Sequence, residues 1–181
     1  DMRKMLTDVS RNRQTMFFSA TMTREAEKLV NDFMTDPITI SVKKKDVTNS
    51  VAQDVVPYAH AHKFDTLLAL LGKEEFKRVI IFGAMKHSVE KLSKELTQNG
   101  VKAESIHGNK SHGQRVRSLS AFKSGNARVL VATDVAARGI HVDNVTHVIN
   151  YDLPNTFEDY VHRIGRTGRG AQKGQALTFV P

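Results

Sequence analysis

The densest chemistry in the sequence lies at 162–169, HRIGRTGR, where Arg163, Arg166 and Arg169 recur every third residue with glycine or isoleucine between them. A guanidinium offers a planar fork of donors that matches phosphate oxygens, and glycine lets backbone approach a ligand closely. A cation held beside a γ-phosphate stabilises charge that develops during phosphoryl transfer. One arginine here would read as a basic helix end complementing the helix dipole. Three, with glycines interposed, point to phosphate. Two other segments gather polar and small residues just after an apolar run: Thr133–Gly139 (TDVAARG) after ARVLVA, and Ser19-Ala20-Thr21 after QTMFF. Asp134 is of a type that also serves simply as a helix cap.

Charge agrees with an anionic partner. The 181 residues carry 27 Lys+Arg against 19 Asp+Glu, a formal net charge of +8, which favours polyanions such as nucleic acid or nucleotides. No acidic residue occurs from Ser105 to Thr133, a stretch holding Lys110, Arg115, Arg117, Lys123 and Arg128, and none follows Asp159. A generically basic soluble surface is the plain alternative on charge alone. The absence of cysteine excludes a disulfide scaffold, thiol catalysis and cysteine-ligated zinc. No apolar run approaches the roughly 20 residues of a membrane-spanning helix. There is no G-x-x-x-x-G-K-[ST] phosphate loop in the sequence, so any such cradle is expected upstream of Asp1.

These segments need elements to position them. From about residue 46 onward, apolar runs alternate with helical periodicity: Gln53–Tyr58, Arg78–Ala84, Val101–Ile106, Ala127–Thr133, Thr146–Asn150 and Gln175–Val180 read as strands. Between them, Lys63–Leu71, the segment through Val89, Leu92 and Leu96, Ser111–Lys123 and Phe157–Ile164 read as helices. Several strands are apolar throughout, which argues for an α/β fold: a doubly wound, mostly parallel sheet with helices on both faces. Such sheets place ligands at the carboxyl ends of their strands, where the three polar segments fall. Residues 1–45 supply only a helix near Met2–Val9, strand Gln14–Ser19, helix Thr23–Met34 capped by Thr21 or Thr23, and extended Ile38–Val42. That is too little for a sheet of their own. They read as the end of a preceding domain, and charged Lys43–Ser50 as a linker.

HRIGRTGR, ATDVAARG at 132–139 and SAT at 19–21, in this order and at these separations, resemble three motifs of DEAD-box ATP-dependent RNA helicases. IHGNKS with the following AFKSG is most similar to bacterial RhlE-type members. The resemblance implies a RecA-like fold, with residues 1–45 as the C-terminal end of the first RecA-like (helicase ATP-binding) domain plus linker, and 46–181 as the second (helicase C-terminal) domain. It implies that Arg166 and Arg169 are arginine fingers on ATP, that His162 couples them to the SAT segment, and that Ser19 and Thr21 link nucleotide state to domain closure. Thr133, Gly139 and the helix of Arg115 would contact the RNA sugar-phosphate backbone, with Arg138 at the domain interface among the RNA-binding residues. Gly83 and Lys86 occupy another RNA-contacting position.

The sequence departs from the family pattern at His141, where Asp is usual for a ribose contact, with Asp143 two residues on as a substitute. It departs again at His112, where Gln is common, and at Met85, where Thr is common. The expected cofactor is ATP with Mg, the Mg ligands lying in the missing first domain. The expected partners are RNA, through sequence-independent backbone contacts, ATP, and the first RecA-like domain. A cytoplasmic, membrane-free location is implied, and residues 1–45 offer a route to self-association. The intact protein would unwind RNA locally, and this piece alone would be inactive. A non-enzymatic RNA-binding or annealing module is the alternative, and a DNA helicase is disfavoured by His162.

Overall fold

A computed structural model describes residues 5, 8–10, 12–19, 22–41, 51–137, 140, 142–168 and 173–181. The chain divides into two units, Asp1–Lys43 and Lys44–Pro181. The expected 43–50 linker and most of the Met2–Val9 helix lie outside the described residues.

In the first unit, Arg24–Phe33 forms α1, and the Thr23 hydroxyl caps it by accepting from the Ala26 N–H at 3.3 Å. None of its residues is buried. The segments expected as strands, Gln14–Ser19 and Ile38–Val42, form none over their described residues. Phe18 and Ile38 are 85% and 92% exposed. A strand is defined by its ladder, and apolar sequence alone does not make one where no neighbour pairs with it.

In the second unit, six strands form one sheet: β1 (Val51–Pro57), β2 (Val79–Phe82), β3 (Ala103–Ile106), β4 (Val129–Ala132), β5 (His147–Asn150) and β6 (Gly174–Val180). Their order is β1-β6-β5-β2-β4-β3, and every pairing is parallel. The connecting helices are α2 (Lys63–Leu71), α3 (Lys86–Gln98), α4 (His112–Ser124), α5 (Asp134–Ala137) and α6 (Phe157–Ile164). All four residues of β2, β4 and β5 are buried, which accounts for their unbroken apolar sequences: each is covered on both faces.

The period of two divides the core. Val79, Ile81, Val131 and Ile149 pack with Leu67 and Leu71 of α2 and Leu96 of α3 on one face. Ile80, Phe82, Leu130 and Val148 pack with Phe122 of α4 and the segment through Ile140 and Val145 on the other. Helix ends follow local chemistry. Ser111 and Gln114 make a reciprocal capping box at the start of α4, and Gly125, at φ 84°, ends it. Among the described residues no helix is long and apolar enough to cross a membrane.

At the amino edge of the sheet, His147 is buried and stacks on Phe76 with ring centroids 3.9 Å apart. Its ring nitrogens lie 2.9 Å from Thr146 Oγ1 and 3.1 Å from Gln175 Oε1. Burial pushes its pKa down from the ordinary 6.5, against the opposing pull of Gln175. The native state thus favours the neutral ring. The stability this contributes is present above pH 6.5 and is lost as pH falls through the lower folded value. Urea midpoints of the wild type should fall between pH 7 and pH 5, and the fall should be shallower in His147→Gln. Parallel pH profiles would show that this ring does not titrate with folding.

Candidate functional site

The carboxyl edge of the sheet is organised around Arg163, near the end of α6. Its side chain is only 2% exposed. Nε and Nη2 donate to the two carboxylate oxygens of Asp134, at 2.6 and 2.7 Å. Nη1 donates to the Asp152 carbonyl at 2.6 Å and to Asn150 Oδ1 at 3.3 Å, and the guanidinium lies over the Phe82 ring at 5.2 Å. Arg163 therefore joins the exits of β2, β4 and β5. The three arginines are not equivalent: this one is an internal clamp, and Asp134, in the first turn of α5, is its partner rather than only a cap.

Arg166 differs. It is half-buried on the turn that leaves α6, where Nε donates to the His162 carbonyl at 3.2 Å and Nη1 to the Ile140 carbonyl at 2.9 Å. Both acceptors are backbone carbonyls, and the two bonds set the direction of the guanidinium. The turn is anchored by Thr167, 1% exposed, whose hydroxyl donates to the carbonyls of Val145 and Thr146. Gly174 permits it: a Cβ there would sit 2.3 Å from the Gly168 nitrogen. His162, Arg163, Arg166, Asp134 and Phe82 line a cleft of only about 10 Å³, room for one water.

The same edge carries Thr133, half-buried just after β4, with its N–H on the Ile106 carbonyl at 3.3 Å. It also carries Gly83, which donates to the Ala132 carbonyl at 3.0 Å; a Cβ at Gly83 would meet Val89 Cγ2 at 2.9 Å. Lys86 is exposed at the first position of α3. Arg115 is half-buried near the start of α4, its Nε the one buried side-chain polar atom without a hydrogen-bond partner among the described residues. His112, exposed, begins that helix.

Lys110 is not part of this basic edge. Its Nζ donates to the Ser105 carbonyl at 2.9 Å and lies 3.8 Å from Glu90 and 4.0 Å from Glu104. Glu90 is held down to about 2 by the Ser105 hydroxyl first, against burial, and then by His107, Lys94 and Lys110. Asp143 is not brought to the site either. Its carbonyl accepts from Arg78 Nη1 at 3.1 Å, and Arg78 precedes β2, at the opposite edge. Ser19 is exposed in the first unit. Thr21, Arg138, Gly139, His141 and Arg169 lie outside the described residues.

Sequence reading did not single out Asp152, Lys63, Thr167 or Gly174. Asp152 carried one usable signal: an acid two residues past an apolar strand sits at the ligand-binding edge of a parallel sheet. Thr167→Val should leave the Val145 carbonyl without its donor, the Thr146 carbonyl keeping the Gln175 N–H, and lower unfolding free energy by about 1–3 kcal/mol, read from urea denaturation. A neutral change would remove Thr167 as the anchor of the turn.

Residues 62–171 match the helicase conserved C-terminal domain family. The DEAD-box ATP-dependent RNA helicase CshA of Bacillus cereus is 45% identical over 99% of this chain and 34% of its own length. CshA of Bacillus subtilis is 42% identical over 99% of this chain and 37% of its own length. The chain thus spans about a third of these curated relatives; their shared name is CshA, and the RhlE type stays a resemblance of sequence. Among solved structures, Saccharomyces cerevisiae Dbp5 bound to RNA and ADP BeF3 superposes with a TM-score of 0.80 at 30% identity, over 99% of this chain and 47% of that one. A DEAD box protein from Methanococcus jannaschii gives 0.69 at 36% identity, over 99% and 48%. The all-parallel six-stranded sheet is the RecA-like fold of these proteins, and the chain belongs to the helicase conserved C-terminal domain family, among its DEAD-box members.

Proposed function

We propose that this chain is the C-terminal part of an ATP-dependent RNA helicase. Residues 46–181 form its second RecA-like domain, and residues 1–45 the end of the first with the linker. The observation that carries this reading is Arg166, a half-buried cation oriented by two neutral carbonyls beside a cleft too small for a nucleotide. A site of that kind is half of a site, and its second wall would be the preceding domain. The exposed apolar residues Phe18, Ile38 and Ile40 of the first unit suit burial in that domain's sheet, and without it they favour self-association.

The residues present fit the triphosphate of ATP. Arg166 would hold the γ-phosphate end with Arg169, and His162, Ser19 and Thr21 would couple that contact to closure. They do not fit magnesium: among the described residues no three acidic or histidine side chains converge to hold a metal, so its ligands are assigned to the preceding domain. When bound, ATP would supply through hydrolysis of its terminal phosphoanhydride the free energy for reopening the cleft. Arg115, Thr133, Gly83 and Lys86, with Gly139 and Arg138, would bind successive RNA phosphates and riboses. None of these contacts reads a base edge, so binding is indifferent to sequence. A cytoplasmic location accords with such a substrate.

Two outcomes test this. In the intact protein, Arg166→Ala should lower RNA-stimulated ATP turnover by on the order of 10³-fold while RNA affinity changes less. The 181-residue chain alone should show no turnover. Near-wild-type turnover by the variant, or turnover by the isolated chain, would overturn the half-site account. Binding of single-stranded RNA by the chain should be weak and should fall with salt, with a slope of about 0.7 per phosphate contact, alike for oligomers of different sequence. A strong preference among oligomers of equal length would point to a dedicated base-reading module.

A further inference from the structure

Lys63 stands where helix chemistry disfavours it. It is the first residue of α2, one turn into a helical run that begins with a 3-10 turn at His60–His62, on the side of the positive dipole end, and no side chain caps α2. Its side chain is only 21% exposed. What holds it is specific: Nζ lies 3.0 Å from Asp152 Oδ1, 4.0 Å from the centre of the Tyr151 ring and 5.1 Å from that of Tyr58. A cation set against a helix dipole and enclosed by two aromatic faces and a carboxylate is over-determined, and such departures from local preference mark functional positions.

The other carboxylate oxygen shows what the pair serves. Asp152 Oδ2 accepts from the Ala84 N–H at 2.9 Å, while the backbone N–H groups of Tyr151 and Asp152 both donate to the Phe82 carbonyl. The turn between β2 and α3 is thus fastened to the exit of β5. It has little else at its far end: the N-cap of α3 is Met85, which provides no side-chain acceptor. Gly83 lies close enough that an added Cβ would be 3.5 Å from Asp152 Oδ2.

We infer that Lys63 and Asp152 are positioning residues for RNA binding: their ion pair aims Asp152 Oδ2 at the Ala84 amide and so fixes the Gly83–Lys86 turn against the RNA backbone. This rests on the assignment of Gly83 and Lys86 as RNA contacts made above. The Lys63 cation itself touches no phosphate in this arrangement; it acts through Asp152.

The test is a titration of the ¹⁵N-labelled chain with a single-stranded oligouridylate at several salt concentrations, together with amide exchange at Ala84. Lys63→Met and Asp152→Ala should each weaken binding by on the order of tenfold, as for loss of a charge-assisted hydrogen bond, with the salt slope of the wild type. Lys63→Arg should bind within about twofold of wild type because a cation still reaches Asp152. The Ala84 amide should exchange faster in Asp152→Ala. The isosteric Asp152→Asn, which keeps an acceptor but loses the charge, should show the weakened binding even if the alanine variant does not fold. Lys86→Ala, a direct contact, should weaken binding and also reduce the slope by about 0.7. If Lys63→Met lowers the slope as Lys86→Ala does, Lys63 is a phosphate ligand and the positioning role is overturned. If the Lys63 and Asp152 variants bind as wild type while Lys86→Ala is weakened, positioning fails and the RNA-contact reading stands. If Lys86→Ala also binds as wild type, that reading fails and this inference with it.

Discussion

An arginine cannot shed its charge when buried, so a guanidinium that is 2% exposed must be surrounded by acceptors or the fold fails. Arg163 meets that demand with Asp134 from the start of α5, Asn150 from the end of β5 and the Asp152 carbonyl beyond it. The acceptors come from the exits of β4 and β5, and the ring of Phe82 at the end of β2 closes the remaining side. The electrostatic requirement of one side chain thereby becomes a geometric one on three strand exits. Where α6 ends, and hence where the turn bearing Arg166 begins, follows from it.

From that clamp the site grows outward by short steps. Thr167 ties the turn to the segment leading into β5, Gly174 leaves space for the turn to lie against β6, and the two carbonyls at Arg166 set the direction of its guanidinium. Asp152 belongs to both halves of the edge. Its carbonyl accepts from Arg163 while its carboxylate reaches Ala84 and Lys63. Asp152 therefore links the buried clamp at Arg163 to the turn after β2.

The fold was legible because the parallel sheet is covered on both faces. VIIF and VLVA are apolar without interruption, which is what burial on two sides demands, and α3, which follows VIIF, buries Val89, Leu92 and Leu96 at a helical period. The same rule misleads in Gln14–Ser19 and Ile38–Val42, whose apolar runs join no ladder over their described residues, since pairing is a tertiary fact that no local pattern contains. Within the site, spacing marked the HRIGRTGR segment but treated its arginines alike. Arg163 and Arg166 differ in what surrounds them, and the surroundings come from Asp134, Asn150 and Ile140, distant in sequence. Lys110 illustrates the same limit: an acid-free stretch suggested a solvent-facing cation, yet Glu90 and Glu104 approach it from α3 and β3. Asp143 stood near the expected ribose position by count alone, but the chain runs to the other edge of the sheet before reaching it.

The central claim is that the Arg163–Asp134 pair holds this edge together, and a double-mutant cycle on unfolding free energy tests it most directly. Arg163→Met and Asp134→Ala, measured singly and together in urea, isolate the coupling between the two side chains. The account predicts that Asp134→Ala, which leaves the buried guanidinium uncompensated, costs about 3–5 kcal/mol, and that the double variant costs little more than either single one. Single costs below about 1 kcal/mol that simply add would place the pair among ordinary surface ion pairs and contradict it.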